Sequence, residues 1–446
     1  MSFVVVPCSI GVPSLATRNA ACLAVLVFGS SLFAMGARGE VGALLAAQAI
    51  PTVDLLLAGS KPAESEFYVT VPFRMTQNTI QLDARLDGAS AIETFVLDSG
   101  APMTIAPRLA RELDLAPLAH ALLAGPEGGH LSVPVTRVPE LAIAGIAFQD
   151  VGAVVDWVEP PSELACLSTA GLMGASLLQA AIWQIDFHAE QITITNSLAK
   201  LQGLADAMKI PFQRSDAAGS PRLMVGVSDA NDVSLLLDLG FNGSIAIPLA
   251  LFEQSGDRVA DSAAVEEGEV SSTVFGGTLS EVRIARMREL RLGDLRLKNF
   301  PVVTGPSVSD FHVGIEFLRH FRVTIDWLHN DLYLEPRDPE SALYYDFASY
   351  GFKPRLLGGG FVVGAIWRGS MADRAGMKPG DRLLEVDGHD TTVGDFAAQC
   401  ELLDAVGLFG TNRAPISVTW MHAGQRETSS VARMPILPTP AADADL

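Results

Sequence analysis

Two short segments of this chain carry an acid in the same setting. In the first, Thr94-Phe95-Val96-Leu97-Asp98-Ser99-Gly100-Ala101 sets a carboxylate at the end of an apolar run and follows it with a hydroxyl and a glycine. The second, Ser234-Leu235-Leu236-Leu237-Asp238-Leu239-Gly240-Phe241, repeats the arrangement 140 positions later with leucine in place of the hydroxyl. Short apolar runs rich in Val, Leu and Phe and broken by glycine read as buried strands, so each acid belongs where a strand leaves a core. The glycine two residues on lets the backbone turn tightly and come close to a carboxylate. Two such acids brought within a few ångströms cannot both ionise cheaply and hold one proton between them. One then acts as base and the other as acid, which is the equipment for activating a water against a carbonyl carbon.

The elements that must position these acids are also duplicated. Gly171-Leu172-Met173-Gly174-Ala175 corresponds to Phe311-His312-Val313-Gly314-Ile315, and Ile185-Asp186-Phe187 to Ile325-Asp326-Trp327, again at a shift of 140. Between these blocks, Gly128-Gly129 and Gly145 correspond to Gly276-Gly277 and Gly293 at a shift of 148. Loops absorb such insertions, and the restored register marks a true internal repeat. Apolar runs at 67–73, 79–86, 192–195, 323–325 and 332–334 read as strands, while 107–115 and 248–254 read as helices with proline in the first turn. Gly128 and Gly129, and Gly276 and Gly277, would form hairpin tips. Alone each is an ordinary turn; beside an acid pair each is a candidate flap that closes over a peptide. Asp186 and Asp326 are expected to cap turns at strand ends rather than to react.

Strand-Asp-Ser-Gly-Ala, an apolar-apolar-Gly segment and a later apolar-Asp strand resemble the retropepsin and pepsin clan of aspartic proteases, twice over, across residues 62–336. The resemblance implies a mainly β fold of two pepsin/retropepsin-like β-barrel lobes related by a pseudo-dyad, residues 50–200 and 201–337. Asp98 and Asp238 would be the catalytic pair, with Ser99, Gly100 and Gly240 supporting the active-site loops. It also implies peptides or unfolded proteins as substrates, a single active site within one chain, and no metal or cofactor. Leu239 departs from the clan, which has Thr or Ser there; leucine cannot hydrogen-bond, so at most half of the usual hydroxyl cross-link between the loops can form.

After two prolines in the charged stretch Glu335-Pro336-Arg337-Asp338-Pro339 the pattern changes. Gly360-Phe361-Val362-Val363-Gly364-Ala365-Ile366, followed by Gly369-Ser370-Met371-Ala372-Asp373-Arg374-Ala375-Gly376-Met377-Lys378-Pro379-Gly380-Asp381, resembles PDZ domains of exported bacterial proteases. This implies an α+β PDZ-like domain over 338–437 that takes peptide C-termini, with Tyr350, Gly351 and Phe352 as candidate carboxylate binders. In that binding mode the peptide adds as a strand. Phe396, Leu402 and Leu403 would line the groove or pack in the core.

Composition narrows the remaining classes. With 51 acidic against 31 basic side chains the net charge is −20, which repels phosphate backbones and excludes nucleic acid as a natural partner. The apolar run from Ala20 to Met35, with small residues after it, reads as a signal peptide or short anchor within residues 1–49, and so predicts an exported or periplasm-facing protein. Cys8 and Cys22 fall in or before that leader; Cys166 and Cys400 lie in different expected domains and read as buried thiols, with neither zinc spacing nor a disulfide framework. Residues 438–446 read as a disordered tail. Two other functions compete with an endopeptidase: a catalytically inactive two-lobe peptide-binding scaffold, because of Leu239, and a carboxylate glycosidase, which lacks an aromatic sugar platform.

Overall fold

The computed structural model describes residues 53–437 except 125–129, 216–217, 231, 258–263, 273–277, 338–346, 393, 407 and 409–413. The expected leader (residues 1–49), both glycine-rich tips (Gly128, Gly129, Gly276 and Gly277) and the expected tail (438–446) lie outside the described residues. Within them the chain is mainly β, with barrel-like sheets, and no helix is long and apolar enough to cross a membrane.

The duplicated segments fold alike. In the first, Thr79–Leu86 runs antiparallel to Glu93–Asp98, which runs parallel to Gly171–Gly174 with Asp98 opposite Gly174. The two-residue strand Thr104–Ile105 closes against Gly171–Gly174 and lies parallel to Ile146–Val155. In the second, Pro221–Val227 runs antiparallel to Val233–Leu237, which runs parallel to His312–Val313. Ile245–Ala246 closes against His312–Val313 and lies parallel to Leu295–Thr304. A long hairpin belongs to each copy, His130–Ile143 with Ile146–Val155 and Thr278–Leu292 with Leu295–Thr304. Helices Pro107–Glu112 and Leu249–Gln254 follow the acid loops. The first is shorter than the sequence pattern suggests, because Asp114 adopts a left-handed φ of 51° that no helix continues through.

A sheet common to both copies joins them. Its central pair is Ile182–Asp186 with Phe321–Asp326, antiparallel, and there Gln184 stands opposite Thr324, its own counterpart 140 positions on. Trp183 faces Ile325 and Ile185 faces Val323, so the pairing reads the same from either copy. Gln191–Thr195 and Tyr68–Pro72 extend the sheet on one side, and Asp331–Pro336 and Met208–Arg214 on the other. Beneath it one apolar core runs through both copies, including Trp183, Trp327, Phe148 and Phe317.

The C-terminal part builds a second core around Phe352, Phe361, Leu403, Val418 and Trp420. Strands Phe352–Leu357 and Gly360–Trp367 form a hairpin, Arg382–Val386 pairs with Ile416–His422, and helix Phe396–Val406 packs across them. This part is not a bead on a string. Gly360–Trp367 adds directly to Ala264–Ser272 of the second copy, with Glu266 opposite Trp367. Cys166 and Cys400 are joined by a disulfide across 234 residues, which corrects the expectation of two buried thiols. Their pairing depends on how the C-terminal part docks against the first copy, and a reading that placed the two residues in independent domains could not supply that.

Trp183 is 1% exposed, stacks near Phe148 and donates its indole N–H to the Leu178 carbonyl at 2.8 Å. Trp183→Ala should therefore cost about 3–5 kcal/mol, as large buried aromatics do. Denaturant titration of the oxidised protein checks this; a loss under about 1 kcal/mol would place the residue outside the shared core.

Candidate functional site

Asp98 ends its strand and Asp238 follows Leu237 directly, so the two acids stand at matching positions of the two copies. Both are almost completely buried. In each loop the acid's own Oδ1 accepts a backbone N–H from the glycine two residues on, Gly100 at 2.8 Å and Gly240 at 2.9 Å. Those glycines also face across the axis. A β-carbon on Gly100 would lie 2.8 Å from Asp238 Oδ1, and one on Gly240 would lie 2.4 Å from the Asp98 carboxyl carbon. Any side chain at either position would occupy the space of the opposite carboxylate, so glycine is a requirement of the close approach. Gly174 and Gly314 serve a similar end, since a β-carbon on either would overlap the backbone of the acid loop that crosses it.

Burial first, and the nearby Asp238 carboxylate second, push Asp98 up to about 7. Asp98 therefore keeps its proton through the mildly acidic range. A pair of acids, one held protonated beside another, is the arrangement required for shared acid and base work.

The loops are tied together by one hydroxyl. Ser99 Oγ donates to the Leu237 carbonyl at 2.6 Å and accepts the Leu239 N–H at 2.9 Å, so it closes a bridge to the opposite loop on both sides of Asp238. Leu239 stands at the matching position and is 1% exposed within the shared core. Packing replaces hydrogen bonding on that side.

His312 was not singled out by its sequence. It occupies the position of Leu172 in the first copy, and that polar-for-apolar exchange within the repeat was the available signal. Its Nδ1 lies 3.8 Å from Asp238 Oδ2, and Phe241 covers the ring at 4.3 Å between centroids. Burial pushes the imidazole down to about 4, so it is neutral beside the acids. Among the described residues Nδ1 has no hydrogen-bond partner. Asp186 and Asp326 sit away from this centre as turn caps: Asp186 accepts the N–H groups of His188 and Ala189, and Asp326 those of Leu328 and His329.

In the C-terminal part, Gly351 adopts φ +96°, a turn that favours glycine, immediately before the edge strand Phe352–Leu357. The Gly351 N–H donates to Ser349 Oγ at 3.0 Å, and its carbonyl accepts the Trp367 N–H. Tyr350 and Phe352 are buried, and the Tyr350 hydroxyl donates to the Ala414 carbonyl at 3.0 Å. Their side chains serve the core, so any role in holding a carboxylate falls to the backbone. Leu403 is buried in that core, with Phe396 and Leu402 packed against it. Among the described residues no group of three or more His, Cys, Asp or Glu could hold a metal.

Comparison with known families identifies a PDZ domain at residues 362–407. That span holds most of the strand Gly360–Trp367 and the helix Phe396–Val406 but begins after Tyr350, Gly351 and Phe352. No curated protein matches the chain.

Ser99→Ala leaves the Leu237 carbonyl and the Leu239 N–H buried without their cross-axis partner. The expected loss is about 1–3 kcal/mol for each orphaned group, read by denaturant titration. An unchanged midpoint would mean that the loops hold together without this hydroxyl.

Proposed function

We propose that this chain is an exported aspartic-type endopeptidase, built as two pepsin/retropepsin-like lobes, whose PDZ domain is a peptide-binding module that recruits or senses peptide termini. The observation that carries the reading is the buried pair itself: Asp98 and Asp238 meet across a two-fold axis, each over the other loop's glycine, with Asp98 holding a proton up to about pH 7. The disulfide Cys166–Cys400 supports an oxidising compartment and hence export.

In the proposed reaction a water lies between the two acids. Ionised Asp238 takes a proton from it as its oxygen attacks the scissile carbonyl carbon. Protonated Asp98 hydrogen-bonds the carbonyl oxygen and stabilises the charge that develops there. Collapse of the tetrahedral intermediate breaks the C–N bond, the leaving nitrogen takes a proton from the pair, and the acids return to sharing one proton. Neutral His312 beside Asp238 adds no competing charge. Leu239 supports a second reading, a peptide-binding scaffold without turnover, because it removes one of the two hydroxyl bridges that hold such loops.

Turnover of unfolded protein separates these readings. Asp98→Asn and Asp238→Asn should each lower the rate by about 10²–10⁴-fold while the fold persists. Parent protein with no cleavage at any pH from 3 to about 8 would leave the scaffold reading standing. The pH profile has a definite sign. Asp98 must be protonated and its pKa is raised, so activity should persist through mildly acidic pH and fall about tenfold per unit once pH passes Asp98's raised value near 7. A rate that keeps rising above pH 8 would remove Asp98 as the acid.

Leu239→Thr tests the missing bridge. If the repeat holds at this contact, a hydroxyl there would face the Leu97 carbonyl as Ser99 faces that of Leu237. A bond of that kind is worth about 0.5–1.5 kcal/mol, and the variant should cleave faster than the parent. A folded variant with an unimproved rate would show that packing of Leu239 holds the loop as well as a hydrogen bond does.

A further inference from the structure

In PDZ recognition the ligand joins the sheet as an added strand, between the edge strand that follows the carboxylate loop and the neighbouring helix. Here that space lies between Phe352–Leu357 and Phe396–Val406. The strand's inner edge pairs with Gly360–Trp367. Along the groove lies the short 3-10 turn Glu163–Cys166 of the first copy, which touches both the strand and the helix.

This turn reaches the outer edge of the strand through a side chain rather than as an added strand. Glu163's carboxylate accepts the backbone N–H of Leu356 at 2.9 Å, and its two oxygens accept from Arg355 Nε at 2.6 and 2.9 Å. Arg355 is only 3% exposed and Glu163 12%, so the pair lies out of bulk water, where charge-assisted bonds are strong. The Gly351 carbonyl accepts the Trp367 N–H of the partner strand, which turns the N–H of the same peptide, that of Phe352, to the outer edge where the Leu356 N–H lies; Pro354 between them has no N–H. Three residues past Glu163, Cys166 packs against the PDZ core and is bonded to Cys400 on the helix. Strand edge, helix and charge pair are thus all engaged by one segment of the same chain.

We propose that the Glu163–Cys166 turn is an internal ligand of the PDZ groove, that the Cys166–Cys400 disulfide holds it there, and that a dithiol reductant frees the groove for a peptide C-terminus. The proposal rests on the peptide-binding reading of this domain. While the disulfide stands, the turn cannot leave, and a free peptide competes against a ligand whose effective concentration is on the order of millimolar or above. Reduction runs by thiol–disulfide exchange. A thiolate of the dithiol attacks one sulfur, forming a mixed disulfide and releasing the other cysteine as a thiolate that takes up a proton. The second thiol of the reductant then displaces the remaining cysteine, so the dithiol is oxidised by two electrons and Cys166 and Cys400 end as thiols. Both cysteines are only partly buried, which leaves them open to attack.

The chemistry of the freed groove follows from what Glu163 vacates. A peptide running antiparallel to the strand, its terminal carboxylate near the Phe352 N–H, sets a residue about four back beside Leu356 and Arg355. An acidic side chain there takes over the two partners of Glu163, so the groove should select peptides with Glu or Asp at that position.

The test uses the full chain and fluorescent pools of random peptides with a free C-terminus, one pool with Glu and one with Gln fixed about four residues from the end. Binding is measured to the oxidised protein, its disulfide verified by non-reducing peptide mapping, to the protein reduced with dithiothreitol, and to Cys166→Ser and Cys400→Ser. The reduced protein and both variants should bind at least about tenfold more tightly than the oxidised one, favour the Glu pool, and lose binding when the peptide terminus is amidated. Equal binding by oxidised and reduced protein overturns the gate while leaving the PDZ domain a peptide binder. Binding by no form of the chain removes the peptide-binding reading and the gate with it. Hydrogen exchange gives a readout that needs no peptide: on reduction the Leu356 amide should lose protection while the Asp98 strand keeps its own. Leu356 protection that survives in Cys166→Ser would show that the turn stays seated without the disulfide, and would overturn the disulfide's role.

Discussion

Gln184 and Thr324 face each other across the central strand pair, and the Gln184 amide donates to the Thr324 hydroxyl at 2.9 Å. They are the same position of a duplicated sequence. A strand can pair antiparallel with its own copy only about a two-fold axis, so this one register sets how the two copies are oriented. Slipping it by a residue would turn Trp183 and Ile185 from the core to the opposite face. Everything at the acid pair inherits that axis. Gly100 lies over one carboxylate and Gly240 over the other, and a single serine reaches from one loop to the other.

The symmetry is broken where it matters chemically. Ser99 faces Leu239, and Leu172 corresponds to His312. A strictly symmetric pair would leave its proton equally on either acid. In this pair, burial and the facing carboxylate hold the proton on Asp98 well above the usual carboxylate range, while a neutral imidazole lies beside Asp238. The same shift has a thermodynamic sign. Folding binds a proton at Asp98 between its ordinary pKa and about 7, so this group's contribution to stability is full below the ordinary value and declines as pH rises through that window. The substitutions that distinguish the copies thus also give the two acids different environments.

Much of this was legible from the amino acids because a repeat carries spatial information that a single motif lacks. The 140-residue shift located both acid loops, the crossing glycines Gly174 and Gly314, and the capping acids Asp186 and Asp326, because each depends on contacts within its own copy. Strands at 79–86 and 192–195 and the helix starts followed from apolar runs and proline. What escaped depended on docking between distant parts. The bond between Cys166 and Cys400, the ion pair of Glu163 with Arg355 and the addition of Gly360–Trp367 to Ala264–Ser272 each join segments about a hundred or more residues apart with no local signature. One clue existed: once the cysteines of the expected leader are set aside, two remain, and an expectation of export invites their pairing.

The loop that reaches the PDZ groove is also the connection between the long hairpin and the strand beside Asp98, so its anchoring decides whether the two sites are mechanically joined. Its far end is firmly moored. Ser168 Oγ donates to the Thr94 carbonyl and accepts the N–H groups of Ala170 and Gly171, and the Ser168 carbonyl accepts the Trp157 indole N–H. One residue earlier, the Leu167 carbonyl accepts from the Gln81 amide at 2.6 Å. The bonds to Thr94 and Gln81 hold this end to the sheet that carries Asp98, the other three brace the loop within itself, and all five lie beyond the turn that touches the groove. Glu163 to Cys166 can therefore leave the groove as a short hinged segment while Gly171–Gly174 keeps its place opposite Asp98. Along this loop a disturbance would have to pass Leu167 and Ser168, which five hydrogen bonds hold in place; a separate link runs from Asp404 on the groove helix, which accepts the Gln77 N–H, to Asn242 past the second acid, whose amide donates to the Gln77 carbonyl.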